Sequence, residues 1–209
     1  MNPSLGLPLV VGAYLLGSVP FGLVLTRLFT GSDVRQVGSG NIGASNVTRA
    51  AGKAVGALTL LCDAAKASLP MLLAGRLFAP AGPAAAQGWV VAAGLAAFAG
   101  HVWPVWLRFK GGKGVATALG VFLVLAPLPT LVALLVFAVA YGATRIAAVG
   151  SLAGAAVCCA GTFAQALRDP GGAGLSSPVP WAGLAVTLVI VVRHRSNIQR
   201  LLEGVENKV

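Results

Sequence analysis

Long apolar blocks alternate along this chain with short polar stretches rich in glycine and basic residues, and that alternation fixes the first expectations. The first block runs over about residues 5–30 and contains Gly17-Ser-Val-Pro20, where a proline inside a membrane helix introduces a kink. Further blocks cover 54–78, 89–107, 115–141, 146–167 and 180–192. About 20 apolar residues span a bilayer as a helix, so these read as membrane segments packed into a bundle. The block at 115–141 is broken by Pro127 and Pro129, which permits either one kinked helix or two short ones joined near 125–130.

Charge decides between those two. Lys and Arg concentrate in loops that stay in the cytoplasm. With the basic stretches 35–53, 108–113 and 193–200 all inside, a single crossing over 115–141 strands Arg145 and the basic tail outside, whereas two crossings keep both inside. The two-helix reading leaves twelve basic residues on inside loops against Arg76 and Arg168 outside. The expected fold is therefore all-α: a polytopic membrane helix bundle of about seven transmembrane segments. Its N-terminus lies outside, its C-terminus is cytoplasmic, and residues 1–209 form one domain. Residues 1–8 carry no basic region ahead of the apolar run, so no cleaved signal peptide is expected.

Composition sharpens this picture. Charged residues make up 10% of the 209 positions, against roughly 25% in soluble domains, and hydrophobic residues 57%. Mean hydropathy is +0.86. The net charge of +10 could suggest nucleic acid, but it lies in short juxtamembrane clusters with no soluble module to present them. Cys62, Cys158 and Cys159 sit among apolar neighbours without the spacing of a metal site.

Three polar clusters share the predicted cytoplasmic face. The first is Gly38-Ser-Gly-Asn-Ile-Gly-Ala-Ser-Asn-Val-Thr-Arg49. Gly38, Gly40 and Gly43 spell the dinucleotide fingerprint, yet no strand precedes them, so that reading fails. Exposed backbone N–H groups, donors from Ser39, Asn41, Ser45 and Asn46, and the Arg49 fork instead suit an anion. The alternative is a plain polar linker. The second cluster, Gly100-His-Val-Trp-Pro-Val-Trp-Leu-Arg-Phe-Lys-Gly-Gly-Lys-Gly-Val-Ala-Thr117, approaches a Walker A loop but has Gly114 where a hydroxyl is required. Lys110 and Lys113 flank Gly111 and Gly112 directly before an apolar helix, a second place for a phosphate; ordinary positive-inside lysines are the alternative. Trp103 and Trp106 read as interfacial belt residues. The third is Arg193-His-Arg-Ser-Asn-Ile198, which puts His194 and Asn197 on one helical face. Ser151, six residues after Arg145, is a weaker candidate. Within an apolar block, Asp63 and Lys66 are spaced to pair with each other; substrate contact by Lys66 is the other possibility.

These four stretches, Gly17-Ser-Val-Pro-Phe21 included, resemble the bacterial acyl-phosphate:glycerol-3-phosphate acyltransferase family in order and spacing along nearly the whole chain. Ser45 stands where the family more often has threonine, and the hydroxyl is kept. The resemblance implies transfer of a fatty acyl group from acyl phosphate to the 1-hydroxyl of glycerol 3-phosphate, giving lysophosphatidic acid and inorganic phosphate. It implies an inner-membrane enzyme, multi-pass, with its active site facing the cytoplasm. No cofactor, metal, nucleic acid or obligatory protein partner is implied; membrane lipids surround it. Carried over by position, Ser39, Asn41, Arg49, Lys113, His194 and Asn197 are the expected catalytic residues. Gly38, Gly40, Lys110, Gly111, Gly112, Thr117 and Ser151 are expected at the phosphates. Arg193 and Arg195 flank His194 and weaken it as a base, so it is expected to position groups while the phosphate of glycerol 3-phosphate takes the proton; His194 as the general base is the alternative. A transporter for a small phosphorylated anion is the rival from another class, but transporter sites lie near the midplane within repeats, and no clear repeat is present.

Overall fold

The structure, a computed structural model, describes residues 5–169 and 172–208. Residues 1–4, on which the expectation of an uncleaved, outward N-terminus rests, lie outside the described residues, as do two positions of the Gly/Pro-rich loop 168–179. All regular structure among the described residues is helical. The helices gather into two compact units, residues 1–124 and 125–209.

In the first unit α1 (Gly6–Gly17) and α2 (Phe21–Thr30) are separated by the Ser18–Pro20 break that the proline predicted. Helix α3 (Ala44–Phe78) begins ten residues before the expected start at 54. Its 35 residues as one straight rod would be about 52 Å long, well beyond a hydrocarbon core of about 30 Å. Gly52, with φ 85° and ψ 169°, breaks it into a short helix followed by the membrane-length stretch. The short helix went unforeseen because its one apolar stripe, Val47 with Ala50 and Ala51, is too short and too small to show a helical period among polar neighbours. Helix α4 (Pro83–Val102) starts at a proline in the first turn, where the missing N–H costs nothing. A 3-10 turn, Val105–Leu107, then leads to α5 (Val115–Leu125). Helices α1, α3 and α4 pack on one another, and α2 packs on α3.

In the second unit α6 (Pro127–Thr144) packs on α7 (Ala147–Leu167), and α7 on α8 (Pro178–Arg193); α9 (Arg195–Leu202) follows. Gly150 and Gly154, one turn apart on α7, let its backbone approach Phe137 and Ala133 of α6, the small-residue packing that replaces hydrophobic driving force in lipid. The chain does divide at Ala126 between α5 and α6, the two-helix form that Pro127 and Pro129 permitted.

Among the described residues, five stretches are long and apolar enough to cross a membrane: Gly6–Thr30, Ala44–Ala81, Pro83–Leu107, Pro127–Thr144 and Ala147–Leu167. Val115–Leu125 and Pro178–Arg193 are apolar but shorter. Large apolar side chains such as Leu28, Leu61, Leu135 and Val139 lie exposed, as expected of a surface solvated by lipid. Polar side chains inside the helices bond to carbonyls of the preceding turn, as Thr59 does to Val55 and Thr130 to Ala126.

Candidate active site

In the first unit the first polar cluster forms a tight loop between α2 and α3. Gly31, at φ 70°, ends α2 in the left-handed conformation. Asp33 then caps the 3-10 turn Val34–Gln36 by accepting from the Arg35 N–H, and its carboxylate also takes Arg35 Nε at 2.9 Å and Arg27 at 2.8 Å. The Arg35 guanidinium, then Arg27, hold the Asp33 carboxyl well below the usual carboxylate range. These ties are complete above the ordinary carboxylate pKa of about 3.9 and are lost only as pH falls below it. Arg35 is therefore committed to the loop's structure.

The centre of the loop is Asn46, on the first turn of α3 and 2% exposed. Its amide nitrogen donates to the carbonyls of Val34, Val37 and Asn41, each at 2.9 Å, and its oxygen accepts from the Ser39 N–H at 3.0 Å. The sequence pattern suggested Asn46 as an anion donor; the structure places it inside, where it ties the loop to the helix. A buried asparagine so fully bonded rigidifies its surroundings. Gly38 and Gly40 both have positive φ, 55° and 67°, and a Cβ at Gly38 would press on Asn46 Oδ1 at 2.5 Å. The loop is accordingly pinned, and the linker alternative fails. Asn41 accepts from the Gly43 N–H at 2.9 Å, leaving its amide hydrogens as the donors it can offer. Ser39 is exposed and Arg49 half-buried beside Gly38. Beneath lies a small apolar core of Leu23, Val34, Ile42 and Val47, against which Leu107 packs.

Leu107 brings in the second cluster. After it, Arg108 and Phe109 adopt left-handed φ of 50° and 63°, unusual for side chains of that size. Pro104 O accepts from both Leu107 and Phe109, and Leu107 O from Lys110, so the strained turn is held on its inner side. Gly112 N–H donates to the His101 carbonyl at 3.1 Å. Lys110 is exposed, Lys113 half-buried, and Thr117 wholly buried on α5. Residues 38–49 and 107–117 thus belong to one packed region of the first unit.

Lys66 is not exposed to substrate. Its side chain is 1% exposed and lies 2.7 Å from Asp63, so the paired reading of this intramembrane acid and base holds. Their third member is His101, which lies at the start of the second cluster; sequence reasoning gave it no role, since Lys66 is 35 residues away.

The second unit holds the remaining candidates. His194 sits at the break between α8 and α9 and is 2% exposed. Its Nδ1 donates to the Ile190 carbonyl at 2.8 Å, which makes Nε2 the acceptor in the neutral ring. Asn197, one turn further and 3% exposed, donates to Glu206 at 2.7 Å, and Glu206 also takes Arg200 Nε at 2.7 Å. Gly204, at φ 73°, makes this return possible: Val205 N–H reaches Arg200 O and Gly204 N–H reaches Leu201 O, a Schellman turn that carries Glu206 back onto α9. Glu206 had no evident role in the sequence; the glycine two residues before it was the signal. Ser151 donates to the Ala147 carbonyl at 2.7 Å and is 8% exposed. No cluster of three or more metal-ligating side chains occurs among the described residues.

The glycerol-3-phosphate acyltransferase family profile matches residues 7–204. The chain is 58% identical to the glycerol-3-phosphate acyltransferase of Anaeromyxobacter dehalogenans (strain 2CP-C), with 100% of each chain covered. To that of Myxococcus xanthus (strain DK1622) it is 48% identical, over 96% of this chain and 97% of the relative. Among solved structures it resembles PlsY (YgiH), an integral membrane glycerol 3-phosphate acyltransferase. The glycerol 3-phosphate form of that protein matches with a TM-score of 0.85 and 38% identity, covering 98% of this chain and 95% of the other. The lysophosphatidic acid form matches with a TM-score of 0.81 and 36% identity, covering 97% and 94%.

Proposed function

The chain belongs to the glycerol-3-phosphate acyltransferase family, and we propose that it acylates the 1-hydroxyl of glycerol 3-phosphate with an acyl phosphate as donor. The observation that carries this reading is the pairing, in one unit, of a glycine loop pinned by Asn46 with a diglycine turn followed by Lys113 and the start of α5. Both set glycine backbone beside cations, an arrangement suited to phosphate, and both substrates carry one. Helix ends at the bilayer boundary let an acyl tail stay in lipid while the phosphates remain in water.

In the reaction the glycerol oxygen attacks the carbonyl carbon of the mixed anhydride. A new C–O ester bond forms, the carbonyl–phosphate bond breaks, and phosphate departs with the bonding electrons. The hydroxyl proton passes to the phosphate dianion of glycerol 3-phosphate, whose second pKa near 6 follows from the phosphoserine value. Lys113, Arg49, Ser39 and Asn41 stabilise the departing phosphate and the developing oxyanion. Gly38, Gly40, Lys110, Gly111 and Gly112 hold the phosphates, with Thr117 and Ser151 in support, and His194 and Asn197 position groups. The protein works as a single domain of seven membrane segments in the bacterial inner membrane, with this chemistry on the cytoplasmic side and neither metal nor organic cofactor.

Purified protein assayed with glycerol 3-phosphate and either acyl phosphate or acyl-CoA tests the donor. Turnover is expected with acyl phosphate, negligible with acyl-CoA, and unchanged by chelator. Comparable rates with acyl-CoA would overturn the donor assignment.

A further inference from the structure

The diglycine turn rests on a buried polar cluster that the reaction scheme does not use. Lys66 Nζ lies 2.7 Å from Asp63 Oδ1, 3.0 Å from the Val19 carbonyl beside the α1–α2 break, and 2.9 Å from His101 Nδ1. The Val19 carbonyl and His101 Nδ1 take two of the ammonium group's three donors, and Asp63 faces it as the ion-pair partner. The imidazole then accepts at Nδ1 and carries its proton on Nε2, a tautomer assigned from its partners. All three side chains are at most 3% exposed, and such groups inside a membrane span are costly to retain unless they serve something.

The other edge of the ring meets the loop. A Cβ at Gly112 would collide with His101 Nε2, and one at Gly111 would collide with the His101 carbonyl. That same carbonyl accepts the Gly112 N–H. Gly112 is therefore dictated by the His101 ring, and Gly111 by the His101 carbonyl together with Pro104. The break between α1 and α2, the charged pair on α3 and His101 on α4 thus converge under one turn.

We propose that Asp63, Lys66 and His101 are positioning residues that set the height of the Gly111–Gly112 backbone. This rests on the diglycine turn binding a substrate phosphate. The ion pair orients the ring, and the ring supports the turn from the membrane side, so the site gains a rigid floor. A backbone held this way contacts its phosphate alike in ground and transition states, so disturbing it acts mainly on KM.

His101→Asn separates this role from a merely structural one. Asparagine keeps a polar atom near the Nδ1 position, facing Lys66 and Asp63, and removes the edge against Gly112. The expected result is a melting temperature close to wild type, with KM for one phosphate substrate raised about tenfold or more, within the range known for small misplacements. KM for the other substrate and kcat should change much less. Gly112→Ala, which pushes on the same contact from the loop side, should raise the same KM. The double variant should be no worse than the poorer single variant, because the methyl group moves into space that the ring edge vacates. Wild-type KM values for both substrates in folded His101→Asn, or losses that multiply in the double variant, would overturn the proposal. If His101→Asn does not accumulate, Gly112→Ala decides alone: an unchanged KM overturns it. The wild-type assay is separate, since absence of acyl-phosphate turnover there sinks the functional reading and not this one.

Discussion

Arg27, Arg35 and Lys66 of the first unit have partners within the structure's own framework. Arg35 and Arg27 are tied to Asp33, and Lys66 is sealed among Asp63, Val19 and His101. Arg49 lies against Gly38 of the pinned loop, and Lys113 directly follows the diglycine turn. Removing one preorganised donor from a developing oxyanion costs about a hundredfold or more in rate. Lys113→Ala and Arg49→Ala are each expected to lower kcat by that order, and wild-type kinetics in membrane-inserted Lys113→Ala protein would refute the assignment. His194 makes a contrasting case. Its Nδ1–H is held by a backbone carbonyl at a helix break, which fixes the ring more than it activates it. If the substrate phosphate takes the proton, His194→Gln should retain much more activity than His194→Ala, and both should keep the wild-type pH–rate profile. If His194 is the base, both variants fall by the 10²–10⁴-fold typical of general-base loss and the limb near pH 6–7 disappears. The pH profile of the two variants tells these apart.

At the scale of elements, short hydrogen-bonded devices do what helix packing cannot. Asn46 joins Val34, Val37, Ser39 and Asn41 to the first turn of α3, closing a loop that has little apolar content of its own. Replacing it by alanine leaves three carbonyls and one N–H without this partner, at about 1–3 kcal/mol for each group that stays buried and unsatisfied. Asn46→Ala is therefore expected to lower the melting temperature and to abolish most activity together, whereas Ser45→Ala, at an exposed position, should leave stability unchanged. Thermal unfolding in detergent measures both. This device shows where reading the sequence succeeded and where it stopped. The apolar blocks, the break at Ala126 and the glycine-rich loops were legible because each depends on residues close together in the chain. The inward direction of Asn46 was not, since only the fold shows which side of a short polar helix is covered. His101 and Glu206 escaped for a related reason. His101 gains meaning from Lys66, far away in sequence, and Glu206 from the Schellman turn at Gly204 that returns it to Asn197 and Arg200.

For the whole molecule, orientation in the membrane follows from charge, because apolar surface alone is the same viewed from either side. Among the described residues, five stretches are long enough to cross, and two apolar helices are short. Helix α5, at 11 residues, is about 16 Å long and α8, at 16 residues, about 24 Å, both below a core of about 30 Å. Crossing by either therefore requires local thinning or shelter by neighbouring helices. Helix α5 has that shelter. Gly114, just before it, lies against Phe98; Gly120 lies against Ala64, with its carbonyl accepting from Ser68; and Val121 reaches Gly94, which also meets Met71. The contacts thus move along α3 and α4 away from the diglycine turn, past the middle of α3's membrane stretch, which is the course of a crossing helix. With α5 across, charge parity demands α8 as well, since one without the other would strand Arg193, Arg195 and Arg200 opposite the loops carrying Arg49 and Lys113. That is the reason for proposing seven. Five crossings, with neither short helix across, keep the tail inside but exchange the sides of Arg145 and Arg168, so these two positions decide. Arg145 caps α6 in the left-handed conformation, at φ 59°, through its backbone N–H to Tyr141 O and not through its side chain, so it tolerates replacement. A cysteine at 145, introduced after Cys62, Cys158 and Cys159 are replaced by serine or alanine, should react with an impermeant thiol reagent only when the cytoplasmic face is opened. A cysteine at 168, in the loop that leads to α8, should react in intact cells. Labelling at 145 from outside would reduce the proposed number of crossings and reverse the direction proposed for α7, and with it the cytoplasmic placement proposed for Ser151.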